Sequence, residues 1–156
     1  MVRVMATGVF DLLHPGHIYF LTEAKRLGDE LIVVVARDST ARKFKHEPIT
    51  SEASRVQLVA ALKPVDRALL GHEGGSIYDI LEEIRPDIIV LGFDQIHNED
   101  KILEECRKRG LPTKVVRLPK FEGDLVGTRR IVRKVAEWLA LQEKLQAVEG
   151  GRRPPA

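Results

Sequence analysis

Short apolar runs alternate with amphipathic segments along most of the chain. The apolar runs predict five strands, at residues 2–7, 31–36, 65–70, 87–91 and 114–118. The β-branched run at 31–36 is typical of a strand that is buried on both faces of a parallel sheet. Helical spacing and capping residues predict helices over 15–27, 51–62, 76–84, 98–109 and 128–146.

Strands that alternate with helices favour an α/β fold, here a Rossmann-like open parallel sheet of five strands with helices on both faces. A length of 156 residues suits a single domain. We assign residues 1–146 to that domain and expect the polar end, 147–156, to be disordered. Trp138 is expected to anchor the last helix against the domain.

The junction between the first strand and the first helix carries the strongest chemical pattern. Gly8 lets the chain turn closely past a ligand, and Pro15 suits the first helical position, which makes His14 the cap. His17 then lies on the same face as His14. A helix N-terminus attracts anions, so the pattern predicts a phosphate site. The alternatives are surface or capping histidines, or a zinc site for which only Asp11 offers a nearby third ligand.

Several other candidate residues follow strand ends, and the carboxyl ends of parallel strands collect in one crevice. The basic residues Arg42, Lys43 and Lys45 form either a solvated face or a mobile loop over an anionic substrate. Arg55 lies near the start of a predicted helix, where the dipole disfavours a cation unless a bound phosphate offsets it. Gly92 again permits a close approach to a ligand.

Composition sets outer limits on function. The net charge of +2 gives no reason to expect binding to nucleic acid or to a membrane. The single cysteine, Cys106, excludes an intramolecular disulfide, and no apolar run approaches the ~20 residues of a membrane span. We therefore expect a cytoplasmic protein. A Gly-x-Gly-x-x-Gly run and a P-loop lysine motif are both absent, which argues against a dinucleotide coenzyme and a P-loop enzyme.

Residues 7–17, with the sequence Thr-Gly-Val-Phe-Asp-Leu-Leu-His-Pro-Gly-His, resemble the motif of cytidylyltransferase-type nucleotidyltransferases. Similarity extends over residues 2–135, and the segments 34–38, 62–66, 71–74, 85–92 and 94–95 most resemble archaeal FAD synthases. Those enzymes join FMN to the AMP part of ATP. The resemblance therefore implies ATP and FMN as substrates, a divalent metal such as Mg²⁺ with no cluster of protein ligands, and a homodimer.

The resemblance also implies roles for particular residues. Catalysis would rest on His14, His17, Lys43, Lys45 and Arg55. Asp11 would order the metal and the acceptor. Nucleotide binding would involve the first turn, the exit of the fourth strand and the start of the last helix, at Thr7, Gly8, Val9, Phe10, His14, His17, Gly92, Asp94, Gln95, Gly127, Thr128 and Arg129.

One segment departs from the family pattern. The family has two or three Ser or Thr residues before a basic residue at the start of the last helix, whereas this chain has Gly127 and Thr128 followed by Arg129. We interpret this difference as altered binding of the triphosphate. Two alternative functions stay open: a CTP-dependent cytidylyltransferase acting on glycerol 3-phosphate or another small phosphate, and a non-catalytic nucleotide or flavin sensor.

Overall fold

The computed structural model describes residues 1–44, 46–74, 76, 78–123 and 127–151. Each predicted strand and helix is present, with ends shifted by a few residues, and one further helix follows the second strand. In chain order the elements are β1 Arg3–Gly8, α1 Pro15–Arg26, β2 Glu30–Val35, α2 Asp38–Phe44, α3 Glu52–Ala60, β3 Arg67–Leu70, α4 Ile80–Ile84, β4 Ile88–Leu91, α5 Glu99–Lys108, β5 Lys114–Arg117 and α6 Thr128–Gly150.

The five strands form one sheet in the order β3-β2-β1-β4-β5, and every neighbouring pair is parallel. This confirms the predicted Rossmann-like open sheet. The strand order reverses between β1 and β4, which are neighbours in space although three strands apart in the order of the chain. Open α/β sheets bind ligands beyond the carboxyl ends of their strands at such a reversal.

Alternate side chains of the strands fill two separate cores, one on each face of the sheet. One core packs α1 and α3 against β1 and β2 through residues that include Leu21, Ala24, Val59, Val4 and Val33. The other packs α4 and α5 against the opposite face through residues that include Ile80, Leu81, Ile102, Met5 and Ile89. Because both faces are covered by helices, the strand ends are the part of the sheet left to line a site.

The largest departures from the sequence prediction lie at α2 and α6. The basic segment forms the short helix α2, with Arg42 paired to Glu47 at 2.6 Å. Helix α6 continues to Gly150, past the predicted boundary at 146, and none of its residues is buried. Trp138 is 58% exposed, so the prediction that it anchors this helix is wrong. Of the predicted tail, residues 152–156 lie outside the described residues.

Among the described residues, no helix is both long enough and apolar enough to cross a membrane.

Candidate active site

A tight turn joins β1 to α1 and holds two non-glycine residues in the left-handed region, Phe10 at φ 56° and Leu12 at φ 51°. Backbone strain of this kind persists only where the surroundings enforce it. The Phe10 ring folds back over Gly8, where an added Cβ would lie 2.8 Å from a ring carbon. A side chain at position 8 would therefore displace the Phe10 ring from its place in the turn.

His14 and His17 cap α1 through one nitrogen of each ring. His14 is the cap residue, as predicted, and its Nδ1 accepts a hydrogen bond from Gly16 N at 3.1 Å. His17 Nδ1 accepts from His14 N at 3.3 Å, and the two rings stack with centroids 3.8 Å apart. Because each Nδ1 is an acceptor, each neutral ring carries its hydrogen on Nε2. Nε2–H is a donor suited to a phosphate oxygen.

The charge state of His14 follows from its surroundings. Burial lowers the pKa of His14 below its ordinary value of 6.5. The ring is therefore neutral at pH 7, so Nδ1 can accept the capping hydrogen bond while Nε2–H donates another. Zinc binding would need further ligands, and within the described ranges no group of three or more His, Cys, Asp or Glu side chains is placed to hold a metal.

The Asp11 carboxylate faces the protein interior. Asp11 is 3% exposed, and its oxygens accept from Ile49 N at 2.6 Å, Thr50 N at 3.0 Å and Thr50 Oγ1 at 2.6 Å. Burial alone would raise its pKa, but these hydrogen bonds and nearby Arg55 leave the pKa below its ordinary value. Asp11 therefore fixes the segment before α3 to the β1–α1 turn, a role that the sequence did not reveal.

Arg55 is fully buried and does not line the crevice surface. Its guanidinium donates to Val9 O at 2.7 Å, Ala36 O at 2.8 Å and Thr50 O at 3.1 Å, and it pairs with Asp38 Oδ1 at 2.6 Å. The pair with Arg55 lowers the pKa of Asp38. Carbonyl oxygens and Asp38, rather than a bound phosphate, thus offset the cation that looked out of place in the sequence.

The exits of β1 and β4 are joined by the side-chain amide of Gln95. Its Oε1 accepts from Gly92 N at 2.8 Å, and its Nε2 donates to Thr7 O at 2.7 Å. Arg117, at the end of β5, donates to Gly92 O at 2.8 Å and to Gln95 O at 2.9 Å. The Gln95 amide thus shapes the backbone of this loop, whereas Asp94 is exposed beside it. Arg117 was not among the predicted site residues, although a cation at the carboxyl end of a strand was a usable signal.

The N-terminus of α6 lies against the β1–α1 turn. Thr128 Oγ1 donates to Asp11 O at 2.7 Å, and within the described residues no side chain caps the helix. The capping position is Gly127 at φ 105°, a backbone conformation that a Ser or Thr side chain strains to adopt. The conformation explains why a glycine replaces a hydroxyl residue here. Uncapped N–H groups at a helix start bind anions, and Arg129 beside them is exposed.

A sequence match decides to which family this fold belongs. The family described as cytidylyltransferase-like matches residues 5–144, which is most of the chain. The chain belongs to the cytidylyltransferase-like family. The match covers the strand exits, the histidine pair and the first turns of α6, and it confirms the predicted nucleotidyltransferase resemblance.

Relatives within this family carry a more specific name. A protein of Aciduliprofundum boonei named FAD synthase is 61% identical over 88% of this chain and 92% of its own length. One of Thermoplasma volcanium with the same name is 51% identical over 88% and 96%. A solved structure titled as a lipopolysaccharide core biosynthesis protein of Thermoplasma volcanium is 54% identical, with a TM-score of 0.74 over 78% of this chain and 99% of the other.

Of the two lysines in the predicted cytidylyltransferase-like site, the structure describes only Lys43. Lys43 is exposed in the last turn of α2, with its Nζ 5.4 Å from the ring centroid of Phe44. Lys45 lies outside the described residues. Phosphate binding by these lysines stays a prediction. Contacts around one crevice do link other predicted site residues, namely Thr7, Phe10, the two histidines, Gln95 and Thr128.

Proposed function

We propose that this chain is an FAD synthase, which transfers the AMP moiety of ATP to FMN and releases pyrophosphate. The observation that carries the proposal is the stacked pair of His14 and His17, whose Nδ1 atoms are both acceptors at the N-terminus of α1. That arrangement presents neutral Nε2–H donors beside a helix N-terminus, and the uncapped start of α6 adds backbone donors. The names of the relatives supply the choice of substrates.

In the proposed reaction a phosphate oxygen of FMN attacks the α-phosphorus of ATP. The new P–O bond forms as the bond from the α-phosphorus to the oxygen that bridges to the β-phosphorus breaks, and pyrophosphate leaves with that electron pair. The protein aligns the two phosphates and stabilises charge on their oxygens, with no covalent intermediate on the enzyme. His14 and His17 donate to the reacting phosphates, while Thr128 holds α6 beside them.

Mg²⁺ is proposed to arrive with the triphosphate as part of the substrate. Mg²⁺ in such sites keeps several waters and is bound largely by substrate phosphates. The protein offers few direct ligands for the metal. The Asp11 carboxylate already accepts three hydrogen bonds, and the described residues hold no cluster of metal ligands. Asp11 is therefore proposed as a positioning residue. The predicted homodimer and the predicted cytoplasmic location stay predictions.

The deciding experiment pairs each nucleotide with each acceptor. Pyrophosphate release with Mg²⁺ is measured for ATP or CTP with FMN or glycerol 3-phosphate, and the His17→Ala protein serves as the blank. We expect release from ATP with FMN alone, accompanied by FAD. Release only from CTP with glycerol 3-phosphate would replace the proposal with the cytidylyltransferase alternative. Nucleotide binding without release from any pair would favour the sensor.

A further inference from the structure

An open apolar groove lies along α1 next to the histidine pair. Its volume is about 580 Å³, within the range of about 300–1,000 Å³ that small-molecule sites have. Its walls come from α1, from the turn after α3 and from the segment after β5. The side chains that matter here are Leu13, Ile18, Tyr19, Leu62 and Phe121, and His14 also lines the groove. The groove therefore borders the proposed phosphate site.

Two of the side chains that line the groove are aromatic rings. The rings of Tyr19 and Phe121 stack with centroids 5.0 Å apart and an interplanar angle of 26°. Gly123 permits this position of Phe121, because an added Cβ there would lie 2.6 Å from a carbon of the Phe121 ring. A pair of stacked rings beside aliphatic side chains suits a planar aromatic ligand.

FMN has one end that matches the groove and another that matches the proposed phosphate site. It carries a planar tricyclic ring with an apolar dimethylbenzene edge, and a ribityl chain separates that ring from the phosphate. When the phosphate is held at His14 and His17, the ring must lie to one side of them. We propose that this groove binds the isoalloxazine ring of FMN against Phe121 and Tyr19. The inference rests on the proposed function and adds the location of the acceptor.

Adenine is the competing occupant, and the lining of the groove argues against it. Adenine is distinguished by its ring nitrogens and its exocyclic amine, which need polar partners at the edge of the ring. Among the described residues that line the groove, all side chains apart from His14 and the Tyr19 hydroxyl are hydrocarbon. The exit of β4 instead offers the exposed carboxylate of Asp94. The groove therefore suits the flavin, and the β4 exit suits the adenine.

The test measures the affinity for FMN with and without the aromatic wall. FMN is titrated with protein while the quenching of flavin fluorescence is followed, and KM values for FMN and ATP are measured separately in FAD formation. For Phe121→Ala we expect the Kd and the KM for FMN to rise about fivefold or more, as for loss of one aromatic stacking partner. The KM for ATP should stay unchanged.

A second variant and a control outside the groove support the interpretation of the first variant. Gly123→Ala should weaken FMN binding in the same direction, because the new Cβ displaces the Phe121 ring. Trp138→Ala removes an exposed aromatic side chain of α6 and should leave both KM values as in the parent chain. Circular dichroism confirms that each variant is folded.

The outcomes separate this inference from the proposed function. A rise in the KM for ATP with unchanged FMN affinity would assign the groove to adenine and overturn the inference. FAD formation with unaltered FMN affinity in Phe121→Ala and Gly123→Ala would overturn the inference alone. FMN binding that depends on Phe121, with no FAD formed by the parent chain, would refute the enzyme and retain the groove. An absence of FMN binding to the parent chain would refute both.

Discussion

At the residue scale, each ring of His14 and His17 has an observed capping role and a proposed role as donor to phosphate. Nδ1 closes a capping interaction at the start of α1, and that choice of acceptor fixes Nε2 as the donor. Protonation of His14 would place hydrogens on both nitrogens and break the cap. Burial lowers the pKa of His14, so the folded state favours the neutral ring. Its contribution to stability should therefore be lost as the pH falls from the ordinary value of 6.5 towards the lowered pKa.

His14→Asn separates the two functions of His14. Asparagine is a good N-cap, so the free energy of unfolding should change little, whereas the ring donor is lost. We expect kcat for FAD formation to fall by about 10²-fold, as for loss of one donor to a charged transition state. The Kd of ATP should change far less. Thermal unfolding, single-turnover kinetics and equilibrium ATP binding measure the three quantities.

His14→Ala is the matched comparison. It removes the cap as well as the donor and should lower stability by about 1 kcal/mol, with a loss of kcat similar to that of His14→Asn. If His14→Asn kept the parent kcat and only His14→Ala were impaired, capping would be the sole role of His14.

The roles of Asp11 and Arg55 could not be predicted from the residues alone. The sequence located both beside the crevice. The Asp11 carboxylate, however, accepts from residues 38 and 39 positions away in the chain, and Arg55 donates to partners 5, 17, 19 and 46 positions away. A carboxylate next to a phosphate motif suggests a metal, and an arginine at a helix start suggests an anion. Long-range acceptors and donors inside the protein satisfy both side chains instead, and no local pattern encodes those pairings.

At the element scale, the sequence predicted the order and type of the main strands and helices, since apolar runs and caps are local signals. Ser51 and Asn98 cap α3 and α5 as their positions suggested. Helix α2 was not predicted. Its basic residues indicate a solvated face or a mobile loop, and Ala41 is the one residue of the helix that is buried, so the segment carries no apolar stripe. The burial of Trp138 was expected from its size alone, and that expectation failed because α6 extends away from the cores.

The start of α6 provides an element-scale prediction. Gly127→Ala forces a side chain into φ 105° and should shift the first N–H groups of the helix. We expect the KM for ATP to rise about tenfold, the equivalent of one lost charge-assisted hydrogen bond. Steady-state kinetics at saturating FMN measure it.

Gly110 is the matched control for this change. It also has a positive φ, 67°, with nothing within 4 Å of an added Cβ, but it ends α5 rather than α6. Gly110→Ala should lower stability by about 1–2 kcal/mol without altering the KM for ATP. Equal effects of the two variants on that KM would mean that lost stability, not the position of α6, is responsible.

At the scale of the whole molecule, the crevice is assembled from ends of elements that are distant in sequence. Gln95 joins the exits of β1 and β4, Thr128 joins α6 to the first turn, and Arg55 joins the exits of β1 and β2 to α2 and α3. The position of the histidine pair relative to its neighbours therefore depends on polar contacts outside both cores. Arg55 is the most buried of these contacts.

Arg55→Leu tests whether Arg55 acts through the fold or on the substrate. Removal of the guanidinium leaves Asp38 and several carbonyl oxygens without their donor, so the free energy of unfolding should fall by about 3–5 kcal/mol. Arg55→Lys keeps the charge but cannot reach all of these acceptors, and it should be destabilised almost as much. Urea unfolding measures both. If Arg55→Leu were instead as stable as the parent chain but bound ATP more weakly, direct contact between Arg55 and the anion would be indicated.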